Sequence, residues 1–233
     1  MNAPARTRTI APAWPLYLAA FAIAAVVAGA VGEAFSGGSL AELGIPDPGA
    51  ATTVGLPALR GVAWLLMALA TGSFLLSAFL IAPKQTQEDL NGARLTVDGH
   101  LASRTGAHAS AGIALIGLVM IPLVLSDVSG QPLNTVLFEA AAWSQALDQV
   151  ADARVWLIVA AFAVVVAAFG YVATSWWSQV WLFLGAIVVV MPIALTGHSA
   201  TGGAHDFGTN SLIWHLVAML LWVCLLYTSP SPR

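Results

Sequence analysis

Of the 233 residues in the chain, 59% are hydrophobic and only 8% charged, against about 25% charged in an ordinary soluble domain. With a mean hydropathy of +0.85, a net charge of −3 and no basic block, the composition excludes a soluble domain and a nucleic-acid binder. Continuous apolar runs approach the roughly 20 residues needed to cross a hydrocarbon core and lack the alternation of barrel strands. The predicted fold is therefore all-α, a polytopic transmembrane helical bundle of about six spans, because helices satisfy their own backbone in lipid.

Residues 1–13 are polar, carry Arg6 and Arg8, and read as a cytoplasmic N-terminus. The first span is expected over 14–34. A signal peptide is the competing reading, but the run is long for one and more spans follow. Residues 35–57, rich in Gly and Pro, form a loop, and the second span is placed at 58–82, closed by Pro83. A polar connector, 84–105, leads to a third span at 106–125 with Pro122 near its end. Between the third and fourth spans, Leu133, Val136, Leu137, Ala140, Trp143, Leu147 and Val150 recur at helical spacing, which predicts an amphipathic surface helix. The fourth span is expected over 154–173 and the fifth over 179–195, joined by a tight turn through Trp176 and Trp177. A sixth begins near Asn210, a good N-cap residue, and is read as truncated at 223. The last ten residues, 224–233, resemble a translated sequencing adapter and are set aside as a non-native tail, together with Cys224, the single cysteine.

Lys and Arg near the span ends fix the expected orientation. With the N-terminus inside, Arg6, Arg8, Lys84, Arg94 and Arg104 are cytoplasmic, whereas Arg60 and Arg154 are outside with most of the acidic residues. The turn from His198 to Asn210 then faces outward from a bacterial plasma membrane, and His100 and His108 lie on the opposite side.

That turn concentrates the chemistry. His198 leaves the fifth span, His205 and Asp206 lie in a Gly-rich stretch, and His215 sits inside the sixth span. An intramembrane ionisable side chain is a functional candidate by default, and neutral imidazole is a common metal ligand. Met219 follows His215 by one helical turn, and Met191 precedes His198 by about two. Imidazole with thioether suits copper, above all Cu(I). His198, His205 and His215 are the expected ligands, with Met191, Met219 and Asp206 as supports, Asp206 by orienting a histidine. The bland readings are a helix–helix hydrogen bond for His215 and packing for the methionines.

At these residues the sequence resembles the copper resistance protein D (CopD) family. The likeness lies in Leu195-Thr196-Gly197-His198, the Gly-rich stretch with His205-Asp206, and Asn210-Ser211-Leu212 through His215 to Leu221-Trp222-Val223. Leu125 to Leu133 and the Gly72–Pro83 end of the second span resemble actinobacterial members, many fused to a cytochrome c oxidase assembly half of the CtaG type. The resemblance implies a CopD-like domain over 14–223 that binds copper at the outer face and passes it into or across the membrane. The implied role is copper uptake or resistance, or supply of copper to oxidase assembly. Family members usually follow Trp-Val with Gly-Gly, where this chain has Cys224-Leu225. Expected partners are the lipid bilayer, a periplasmic or extracellular copper carrier and cytochrome c oxidase subunits. No nucleophile–base constellation or nucleotide loop occurs, so no enzyme activity is expected. Two rival readings are a haem-binding electron carrier with histidine axial ligands and a metal-free assembly scaffold.

Overall fold

Backbone hydrogen bonds in this chain close almost entirely within helices, as lipid requires. The structure, a computed structural model, describes residues 14–36, 44, 46–81, 94–196 and 205–228. The elements are α1 (Trp14–Ser36), a single turn α2 (Ala50–Thr53), α3 (Gly55–Leu75) running into a π-helical turn (Leu76–Leu80), α4 (Val97–Ser129), α5 (Leu133–Phe138), α6 (Ala140–Gln149), α7 (Ala151–Val172), α8 (Trp176–Val190) ending in a 3-10 turn (Met191–Leu195), and α9 (His205–Thr228). Among the described residues there is no strand, only one antiparallel bridge between Arg94 and Ser175.

Five segments are long and apolar enough to cross a membrane: Trp14–Phe35, Ala50–Leu80, Val97–Ser129, Ala151–Val172 and Trp176–Leu195. The chain is an all-α multi-pass bundle, as its composition predicts. The helix that opens at the sixth expected span has 24 residues and starts at His205, ahead of Asn210.

Several boundaries differ from the apolar runs, each for a local reason. α4 starts at Val97 because the Thr96 side chain caps it, accepting from Gly99 N at 3.1 Å, with Asp98 in the first turn. The helix passes through Pro122 and stops at Gly130, whose φ of 64° is the left-handed cap position that favours glycine. The amphipathic element breaks at Glu139 into α5 and α6. Val136 is buried, and Leu133, Trp143, Leu147 and Val150 pack on the core, whereas Leu137 and Phe138 face out. Trp176 and Trp177 belong to the first turn of α8 rather than to a connector.

Small residues set the helix spacings, as expected where lipid offers no hydrophobic drive. α4 and α7 approach through Gly117, where a Cβ would stand 3.0 Å from Trp156 O and from Ala160 Cβ, and through Gly170, which faces Ala107. The Phe74 ring fills the junction of α3 with Gly106 and Gly170. α1 seats on α3 through Gly29, Gly32, and Gly61 opposite Ala24 and Ala28. A Cβ on Gly32 would lie 2.4 Å from Pro57 Cγ. Gly32→Leu should therefore lower the unfolding midpoint of the detergent-purified protein, by about 1–3 kcal/mol for overpacking. An unchanged midpoint would mean that α1 does not seat there.

The two ends of the bundle differ. At one, Trp176 Nε1 donates to Ala78 O at 2.8 Å, Leu95 N donates to Thr174 O at 3.1 Å, and Ser77 Oγ donates to Gly99 O at 2.9 Å. At the other, α3 and α7 both begin, α4 ends, and the 3-10 turn meets the start of α9. At that end Thr196 donates from Oγ1 to Asp152 Oδ1 at 3.1 Å.

Candidate functional site

Of the residues singled out in the sequence, His198 lies outside the described residues. His205 opens α9, and its side chain lies outside them as well. Asp206 is exposed in the first turn of the same helix. His215 and Met219 share one exposed face of α9, a turn apart, while Leu216 and Leu220 turn into the core. Met191 is half-buried against the core, in the 3-10 turn. Helical register does not carry from Met191 to position 198, because the turn ends at Leu195 and Thr196 is extended. Among the described residues, no three His, Cys, Asp or Glu side chains group to hold a metal ion.

His100 and His108 sit near the Trp176 end, as their sequence position suggests. His108 packs edge-on against Tyr171 with centroids 5.2 Å apart, and Arg104 stacks over the same ring at 5.6 Å. Both lie in the first half of α4, whose start adjoins Thr174.

What the fold does bring together is a cavity of about 480 Å³ at the Thr196 end. Arg60, Trp64 and Met67 line it from α3, Asp152 and Trp156 from α7, and Ile193, Thr196 and Leu212 from the segments on either side of residues 197–204. At its mouth Arg60 NH2 meets Asp152 Oδ2 at 2.6 Å, while Thr196 occupies the other carboxylate oxygen. Asp127, near the end of α4, is close enough for the charges of Arg60 and Asp152 to act on it. Met67, at the other extreme, is only 1% exposed.

Arg60 entered the sequence reading only as an orientation charge, and Asp152 only unnamed among the outer acidic residues. The missed signal was helical depth. With α3 beginning at Gly55, Arg60 stands more than a turn inside the helix, where a charged side chain calls attention to itself.

A family model for the copper resistance protein D-like, N-terminal domain matches residues 50–209. The match includes α3, α7, the cavity mouth, His198 and His205, and stops before His215 and Met219. Two uncharacterized mycobacterial proteins, from Mycobacterium bovis and Mycobacterium tuberculosis, are each 28% identical over 178 residues, which is 76% of this chain and 26% of theirs. The chain thus spans about a quarter of the length of these curated relatives. No solved structure matches. With the family model covering well over half of its residues, this multi-pass membrane chain belongs to the copper resistance protein D-like family.

Proposed function

We propose that the protein takes copper at the outward-facing Thr196 end and passes it into or across a bacterial plasma membrane, with His198, His205 and His215 as the ligands that receive it. One observation carries the reading beyond family membership: Thr196 and Leu212, which flank the histidine-bearing turn, line the same cavity. Copper is cargo here, handed on from an external carrier, and the protein transfers it rather than transforming it. Supply to cytochrome c oxidase assembly is the destination that the family likeness favours, with oxidase subunits as partners. Imidazole and thioether donors favour Cu(I) over hard cations.

The test is copper content. In purified protein, the combined His198→Ala and His215→Ala variant should lose bound copper by elemental analysis while still inserting into the membrane. Wild-type copper in that variant would refute the ligand assignment, and a Soret band in the wild type would replace copper with haem.

A further inference from the structure

The cavity at the Thr196 end is layered. Arg60, Trp64 and Met67 are spaced i, i+4 and i+7 on α3, so they share one face, and Asp152 and Trp156 are one turn apart on α7. Both helices start at the same end, and the Arg60–Asp152 pair sets them level. Descending from the mouth, the lining passes from an ion pair through two indoles to a buried thioether.

Each layer has a chemical preference. A carboxylate attracts any cation, but indole faces hold one only when it is small in charge and largely dehydrated. A thioether selects a soft ion and is a poor ligand for sodium, magnesium or calcium. The combination describes a soft monovalent metal ion. We propose that this cavity is a second metal site, a transit site, in which Asp152 receives the ion and Met67 holds it between Trp64 and Trp156. The inference rests on the copper-handling reading for the identity of the cargo, and it adds a site that uses no histidine.

Arg60 explains how such a site stays closed when empty. Its guanidinium occupies the position at Asp152 that the incoming ion needs. The pair is partly solvent-exposed, with side-chain exposures of 44% and 28%, so it is weakly held. A metal ion can displace the arginine from such a pair.

The experiment uses the full chain in detergent with silver(I), a redox-inert surrogate for Cu(I), followed by calorimetry. Met67→Leu, which conserves volume, should weaken the histidine-independent equivalent at least tenfold, measured in a background of His198→Ala, His205→Ala and His215→Ala. Arg60→Gln should tighten it by about two- to fivefold, the fold-change equivalent to releasing that ion pair. A gain in affinity cannot come from misfolding. If the triple-histidine background binds no silver(I) while the wild type does, the transit site is refuted and the histidine reading stands. If silver(I) binding survives loss of the histidines and falls with Met67→Leu, the transit site stands without them. Unchanged or weaker binding in Arg60→Gln overturns the displacement step.

Discussion

Gly117→Leu should destabilise the bundle by about 3 kcal/mol, the upper end of the range for overpacking. The reason is what the new side chain meets. A Cβ at position 117 already stands 3.0 Å from the carbonyl oxygen of Trp156 and from Ala160 Cβ. Backbone cannot rotate aside as a flexible side-chain tip does, so α4 and α7 must separate. Because Trp156 lines the cavity, that separation also opens the proposed transit site, and the metal binding proposed there should fall with the melting temperature. Gly117→Ala should give a smaller loss in the same direction. Thermal unfolding in detergent checks both, and a leucine variant that melts with the wild type would show that the two helices are not held at this spacing.

Phe74→Ala is expected to cost about 3–5 kcal/mol, the range for removing a buried aromatic ring. Phe74 is fully buried, and its ring fills the space above Gly106, where a Cβ would come within 2.8 Å, and beside Gly170, at 3.3 Å. Three helices lose their common contact at once. The pairing with Gly106 gives a sharper test. Gly106→Ala should be harmful in the wild type but tolerated beside Phe74→Ala, with a coupling energy of about 0.5–3 kcal/mol for residues in contact. Additive losses would mean that ring and glycine do not share the space.

How much of this was readable beforehand depends on the kind of signal. The spans were legible because each apolar run must be long enough to cross lipid, and length survives errors of a few residues at either end. Helix starts were less so. The Thr96 cap that begins α4 inside a polar connector lies in residues that hydropathy ignores. His205 stands in a Gly-rich stretch, which reads as a turn, yet it is the first residue of α9. The amphipathic stretch was correctly periodic in Leu133, Val136, Trp143 and Leu147, but periodicity could not show the break at Glu139.

The site divides in the same way. Histidines attract notice by their rarity, so His198, His205 and His215 stood out. Arg60 and Asp152 are 92 positions apart, and only the alignment of α3 with α7 pairs them. The same holds for Met67, one apolar residue among many until the fold sets it beneath two indoles.

Three helices point their amino ends at the Thr196 rim: α3, α7 and α9. Each such end carries a partial positive charge of about half an electron, which would oppose an approaching metal ion. Every one of them has a neutralising neighbour. Asp152 lies in the first turn of α7 and Asp206 in that of α9. The α2 turn just ahead of α3 is tied to the carboxyl end of α4 through Thr52 Oγ1 and Ser126 Oγ at 2.6 Å. Asp152→Asn would therefore remove more than a proposed ligand: it would bare the dipole of α7 at the cavity mouth, and slow the ion's arrival as well as weaken its hold.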